Sequence, residues 1–233
     1  MGLPKIDLPI FETKLFSIDK VVKYRPFTVK EEKILLIAQE SRDMEQTVLA
    51  IRQIISNCTF DLDVDSLPMF DIEFLLLQLR AKSINNMITF TITDPDTDKP
   101  VEIELDIDDI GLTVEDSHSK EIKISEDQHL IMRYPRLDEV SMFKSYDGSE
   151  VDTLFNIMIS CIECVVTNDE VSEMGEFTSE EIAEFVAGLP GTVVEGLKSF
   201  FEGIPVLRYE AKYVNADGDD KTLVLEGMET FFI

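Results

Sequence analysis

The sequence is poor in the side chains that most metal and redox sites use. Only three cysteines and two histidines, His118 and His129, occur among its 233 residues. An odd, small number of cysteines does not build a disulfide framework, so we expect a reducing compartment. A tetrahedral zinc site could be assembled only from ligands that are distant in the chain. We therefore predict no bound metal.

The motifs that bind nucleotides or activate a serine are missing as well. The chain contains no Gly-x-Gly-x-x-Gly fingerprint, no Walker lysine loop and no Gly-x-Ser-x-Gly elbow. These absences argue against dinucleotide-binding enzymes, P-loop enzymes and serine hydrolases. We predict no catalytic residues, no cofactor and no enzymatic activity.

Long apolar runs and basic residues are also scarce. A run such as Phe74-Leu-Leu-Leu is far shorter than the roughly 20 residues that span a bilayer, and no signal-like apolar stretch is visible near Met1. Acidic residues outnumber basic ones by 47 to 21, which gives a net charge of −26. Such a charge opposes contact with phosphate backbones. We expect neither a membrane nor a nucleic acid as partner.

What the chain does contain is 44% hydrophobic residues and two segments with the alternation of a β-hairpin. The segments are 88–107 and 207–227, and each has a polar turn at its middle. Each also follows a helical stretch. The sequence thus predicts an α+β fold in which helical halves are each followed by an antiparallel hairpin. A repeated unit of this kind, without a nucleophile or base, favours an assembly protein.

We predict a boundary near residue 134. The N-terminal half (1–134) should hold a hairpin, helices, the first long hairpin and further strands. The C-terminal half (135–233) should be mostly helical and end in a hairpin and an apolar tail. Helices are expected over 30–42, 44–56 and 65–83, and near 137–145, 150–166, 178–187 and 190–202, with a loop over 167–177.

Three features could carry chemistry, and each also has an ordinary structural explanation. Cys161 and Cys164 have the spacing of a zinc half-site, but they are expected on an apolar core helix. Asp94 and Asn215 begin acidic turns that lack the spacing of a calcium loop, so both are predicted to be turn tips. His129 could be a general base. A metal-dependent hydrolase using carboxylates near His129 therefore remains an alternative, as does an acidic protein that mimics nucleic acid.

A basic cluster stands out near the N-terminus of this acidic chain. It consists of Lys20, Lys23, Arg25, Lys30 and Lys33. These side chains could pair with neighbouring acids, or they could form a docking patch for an acidic surface on another subunit. The sequence leaves both possibilities open.

Four segments together resemble the T4-type bacteriophage baseplate protein family. They are Tyr24-Arg-Pro-Phe-Thr-Val-Lys-Glu-Glu-Lys-Ile-Leu-Leu-Ile-Ala38, Leu67-Pro-Met-Phe-Asp-Ile-Glu-Phe-Leu-Leu-Leu-Gln-Leu-Arg-Ala-Lys-Ser83, Met132-Arg-Tyr-Pro135 and Leu225-Glu-Gly-Met-Glu-Thr-Phe-Phe232. They occur in the family's order. The resemblance implies a hub component or an assembly chaperone of a contractile tail. Its partners would be other hub proteins or the tape-measure protein, and its location the virion baseplate or the host cytoplasm during assembly.

If the chain acts by binding, its interface is to be sought near the N-terminus, over 67–83, where ordinary core packing is the favoured explanation, and at the apolar tail. We expect contact through Tyr24, Arg25, Phe27, Lys30, Lys33, Phe231 and Phe232. Many relatives carry cysteine pairs at the hairpin tips, like zinc ribbons. Here the tips are Asp94-Pro-Asp-Thr-Asp-Lys and Asn215-Ala-Asp-Gly-Asp-Asp, so the fold would be zinc-ribbon-like without the cysteine ligands.

Overall fold

The computed structural model describes residues 6–18, 20–41, 43–114, 118–137, 139, 150–168 and 170–226. Within these residues the chain forms six α-helices and twelve strands in antiparallel sheets. The helices are α1 (Val29–Ser41), α2 (Met44–Cys58), α3 (Met69–Ser83), α4 (Glu150–Ser160), α5 (Ser179–Ala187) and α6 (Gly191–Glu202). The strands are β1 (Phe11–Lys14), β2 (Val21–Tyr24), β3 (Thr59–Phe60), β4 (Met87–Thr93), β5 (Pro100–Asp106), β6 (Gly111–Thr113), β7 (Glu121–Lys123), β8 (Gln128–Met132), β9 (Ile162–Thr167), β10 (Glu170–Glu173), β11 (Val206–Val214) and β12 (Asp220–Glu226). The predicted α+β class is confirmed.

The chain divides into two compact units, and the first is built from two separate stretches of the sequence. The first comprises residues 1–113 together with 206–233, and the second comprises residues 114–205. The expected boundary at residue 134 falls inside the second unit. The C-terminal hairpin thus belongs to the unit that the N-terminus begins.

In the first unit, α3 is the buried central helix that its apolar sequence predicts. Ile72, Leu75 and Leu79 have no exposed surface. Asp71, at the start of α3, accepts hydrogen bonds from the backbone N–H groups of Phe16 and Ser17 at 2.9 and 3.1 Å. These bonds hold the β1–β2 turn against the helix. Since Asp71 is itself fully buried, they also satisfy a carboxylate that would otherwise be costly to bury.

Both predicted long hairpins are present, and both lie in the first unit. Strand β4 pairs with β5 from Met87↔Asp106 to Thr93↔Pro100. Strand β11 pairs with β12 and, on its other side, with β6. Leu77 and Ala81 of α3 share one core with side chains of both hairpins, and those side chains are Ile88, Leu105, Leu207 and Leu225.

The second unit is built on a four-stranded sheet in the order β10-β9-β8-β7. Its core contains Leu130, Met132, Leu197 and Phe200 among other apolar side chains. Helix α6 lies close to β7. A Cβ atom added to Gly196 of α6 would be only 2.6 Å from Cγ2 of Ile122 on β7. Glycine at this position therefore sets the distance between helix and sheet. The predicted helices over 178–187 and 190–202 are confirmed.

Two predictions for the second unit are wrong. The helix expected over 150–166 ends at Ser160, and β9 follows it. The region 167–177 is not a loop, because β10 pairs with β9 around a turn in which Asn168 has a φ of 47°. The apolar residues of 150–165 repeat at helical spacing, but the β-branched residues of 162–167 favour a strand. Of the expected helix near 137–145, only Leu137 and Glu139 are among the described residues.

Candidate partner-binding surface

A partly buried ion pair fixes the start of α1. Arg25 donates from its guanidinium to Glu31 at 3.1 and 3.4 Å, and it also donates to the carbonyl oxygen of Pro26 at 2.9 Å. Glu31 accepts further hydrogen bonds from the backbone N–H and the hydroxyl of Thr28, at 2.9 and 2.7 Å. The Thr28 hydroxyl oxygen also accepts from the backbone N–H of Lys30 at 3.3 Å, so Thr28 caps α1 as predicted, and Glu31 supplies the glutamate half of a capping box.

The electrostatics of Glu31 follow from these contacts. Only 1% of this residue is exposed. Burial alone would raise its pKa, but the hydrogen bonds from Arg25 and Thr28 and the charge of Arg25 outweigh burial and lower the pKa to about 2. The Arg25–Glu31 pair is therefore ionised at neutral pH.

Two of the expected contact residues, Tyr24 and Arg25, are engaged in contacts within the chain. Tyr24 is 1% exposed, and its hydroxyl donates to Oε1 of Gln78 at 3.4 Å. Arg25 is engaged with Glu31, and its backbone N–H donates to the carbonyl of Cys58 at 2.8 Å. Phe27 is half-buried, and its backbone N–H donates to Oγ of Ser83. The contacts of these residues fix the position of α1.

That surface lies on the opposite side of α1. Val29 is 85% exposed, and Leu36 and Ile37 are 52% and 53% exposed. Lys30 and Lys33 are exposed beside them. Since residues at i, i+4, i+7 and i+8 share one face of a helix, Val29, Lys33, Leu36 and Ile37 form a continuous strip that Lys30 flanks. We call these five residues the α1 face. Glu40 follows at its C-terminal end.

The basic cluster is divided by the fold. Lys20 donates to the carbonyl oxygen of Asp61 at 2.7 Å, and Lys23 pairs with Glu12 at 3.5 Å. In the described part of the chain, Lys30 and Lys33 have no such ion pair. The structure therefore keeps only these two lysines together, on the α1 face. Phe231 and Phe232 lie outside the described residues.

Sequence reasoning missed the apolar members of this face. The spacing of Ile34, Leu35 and Ala38 predicts one apolar face of this helix, and it makes no assignment for Val29, Leu36 and Ile37. In the structure Ala38 is buried together with Glu31, and Ile34 and Leu35 are half-buried on the same side. The available signal was that α1 has more apolar residues than a single buried stripe requires.

The hairpin tips are held by hydrogen bonds between the two hairpins. One carboxylate oxygen of Asp94 accepts from Thr97 and from the backbone of Asp96, and the other accepts from the Tyr213 hydroxyl at 2.8 Å. Lys221 pairs with Asp96 at 2.6 Å. Asn215, at the other tip, accepts through Oδ1 from the backbone N–H groups of Asp217 and Asp219. We call the Asp94–Tyr213 and Asp96–Lys221 contacts the tip clasp.

These tips do not fit a structural zinc. Zinc in such sites prefers cysteine and histidine, whereas the tip oxygens already accept hydrogen bonds from the chain. Cys58 and Cys161 lie at the ends of helices, and burial raises the pKa of both thiols to about 11. Cys164 lies on β9. The prediction that Cys161 and Cys164 share a core helix is therefore wrong.

The tip clasp should contribute measurably to stability. Replacing Tyr213 with phenylalanine removes the hydroxyl that Asp94 accepts from, so we expect the Tm to fall by roughly 2–4 °C. Tyr209 on the same strand provides the matched control, since its hydroxyl makes no hydrogen bond within the described ranges. Thermal unfolding followed by circular dichroism measures both variants. Equal effects at the two tyrosines would contradict the clasp, and so would a fall in the Tm of the unaltered protein on adding a chelator.

One carboxylate lies beside the imidazole of His129. Nδ1 of His129 lies 2.9 Å from Oε1 of Glu121 on the neighbouring strand. Across the described ranges, no group of three or more His, Cys, Asp or Glu side chains is placed to hold a metal ion.

No helix in those ranges is both long and apolar enough to cross a bilayer.

A family model described as T4 bacteriophage base plate protein matches residues 8–233. The chain therefore belongs to this family of phage structural proteins, and the predicted resemblance is confirmed. Comparisons with curated proteins and with solved structures gave no match.

Proposed function

We propose that this baseplate protein is a hub component or a hub assembly factor and that it binds another tail protein through the α1 face. One observation carries the proposal. Lys30 and Lys33 remain exposed beside Val29, Leu36 and Ile37, in a chain whose net charge is −26. Exposed apolar residues flanked by charges are typical of interfaces, and the two lysines suit an acidic partner.

Mass spectrometry of purified virions and of immature tails tests the role in assembly. A resident hub subunit should be present in both at a fixed ratio to the other baseplate proteins. An assembly factor should be present in the immature tails and depleted from the virions. Absence from both would overturn the proposal.

Reversing the two lysine charges should weaken this binding. We expect Lys30→Glu with Lys33→Glu to reduce capture of the acidic tail partner by about tenfold or more, because like charges would then face each other. Co-purification from cells that express the neighbouring tail proteins measures the effect. The double variant Lys198→Glu with Lys212→Glu is the control, since both of these lysines are exposed and lie outside the α1 face. Equal losses of binding in the two double variants would show that the change in net charge causes the loss, and that the position of the lysines on the α1 face does not matter.

A further inference from the structure

The second unit repeats the ion pair that fixes α1. Arg133 donates to both carboxylate oxygens of Glu139, six residues later, just as Arg25 donates to Glu31. Arg133 also donates to the carbonyl of the next residue, Tyr134, and Glu139 accepts from the backbone N–H of Arg136, three residues before it. The corresponding contacts at Arg25 are with Pro26 and Thr28.

The surroundings of the two pairs match as well. The backbone N–H of Arg25 donates to Cys58 O at 2.8 Å, at the end of α2, and that of Arg133 donates to Cys161 O at 2.8 Å, just after α4. In both places a hairpin precedes the arginine and a strand after the helix joins the same sheet. The sheet orders are β1-β2-β3 and β7-β8-β9, with β10 added in the second. After these sheets the two parts of the chain differ: one α-helix, α3, precedes the hairpin β4–β5, whereas two, α5 and α6, precede the hairpin β11–β12.

These matches indicate that the chain contains two diverged copies of one folding unit. The copies provide an internal comparison, because a role needed for folding should be kept in both and a specialised role need not be. Counting from the paired arginines, Val29 corresponds to Leu137, which is 1% exposed where Val29 is 85% exposed. Lys33, Leu36 and Ile37 correspond in sequence to Ser141, Lys144 and Ser145. The ion pair is shared, and the strip of the α1 face is not.

We propose that the α1 face is a specialised docking site, one per chain, for an acidic amphipathic helix of a different tail protein. This inference rests on the proposed function and adds the chemistry and the number of the partner. The strip of Val29, Lys33, Leu36 and Ile37 spans two turns, which suits ridge packing against a second helix. Acidic residues flanking the apolar residues of that helix would pair with Lys30 and Lys33. A second copy of this chain fits poorly, since a two-fold contact would bring these lysines together.

A photo-crosslinking amino acid placed at Leu36 of the full chain tests the site. The variant is expressed together with the neighbouring tail proteins, irradiated, and digested, and the joined peptides are identified by mass spectrometry. We expect one crosslinked segment, with acids flanking helically spaced apolar residues, from a different tail protein. Native mass spectrometry should show one such partner per chain. The same amino acid at Lys198, which is exposed on α6, should not reach that segment.

The outcomes separate this inference from the proposed function. A crosslink at position 36 to another copy of this chain, or to a basic or wholly polar segment, overturns the docking site. So does a chain that joins tails normally but yields no crosslink at position 36, although its role as a hub component or assembly factor then stands. A chain that is absent from both tails and virions overturns the proposed function and the inference together. Two partners per chain would contradict a single specialised site.

Discussion

Replacing Glu31 with alanine is expected to destabilise the protein by about 3–5 kcal/mol. Glu31 is 1% exposed, and its carboxylate accepts hydrogen bonds from both Arg25 and Thr28. Its removal leaves a partly buried guanidinium without its counter-charge, and it also removes half of the capping box that begins α1. Urea denaturation at pH 7 measures the loss. Glu40→Ala, on the exposed side of α1, is the control and should change stability by less than about 0.5 kcal/mol.

The same residue predicts a pH dependence. The pKa of Glu31 lies at about 2 in the folded protein, below its ordinary value of 4.5. A carboxylate with a lowered pKa stabilises the fold above its ordinary pKa, and that contribution is lost as the pH falls from about 4.5 towards 2. The stability difference between the unaltered protein and Glu31→Ala should therefore shrink over this interval. A difference that stays constant from pH 7 to pH 3 would contradict ionisation of the Arg25–Glu31 pair as its source.

The second large effect is expected in the other unit. Replacing Phe200 with alanine should cost about 3–5 kcal/mol, because it removes a large side chain that is 2% exposed and leaves a cavity. The Phe200 ring stacks with the rings of His118 and Tyr134, at centroid distances of 5.3 and 5.7 Å, and meets Phe201 edge to face. Chemical denaturation monitored by circular dichroism gives the change.

Hydrogen exchange with mass spectrometry shows where that effect is located. Amides of α6 and the β7–β8 hairpin should lose protection, whereas amides of α3 in the first unit should keep theirs. Phe155→Ala on α4 is the control, since this phenylalanine is 37% exposed. Equal losses of stability at Phe155 and Phe200 would show that the Phe200 ring is not central to the core of the second unit.

Features with a strong local signal were predictable from the sequence. Both long hairpins follow from alternation around polar turns, and the starts of α1 and α5 follow from Thr28 and Thr178, each with a glutamate three residues later. The end of α4 was not predictable in this way. Ile162 and Val165 continue the helical spacing of the preceding residues, and only pairing with β8 and β10 makes that segment a strand.

The surface required the structure. The sequence groups Arg25 with four lysines, although Arg25 is engaged by Glu31 and only Lys30 and Lys33 share the α1 face. No single sequence position reveals that Val29, Leu36 and Ile37 face outward, because apolar residues on a helix usually mark its buried side. The match between the Arg25–Glu31 and Arg133–Glu139 pairs also could not be seen in the sequence. The two segments share contacts in the structure, but they do not share a long stretch of identical residues.

Placing the last hairpin in the first unit has a consequence for synthesis on the ribosome. Leu207 and Leu225 complete the core to which Leu77 and Ala81 of α3 contribute, yet they leave the exit tunnel more than a hundred residues later. At typical elongation rates this delay is on the order of 10 s. Throughout that interval the apolar helix α3 of the nascent chain is not yet covered by the last hairpin. Slow translation of the intervening segment should therefore increase the dependence of the chain on host chaperones.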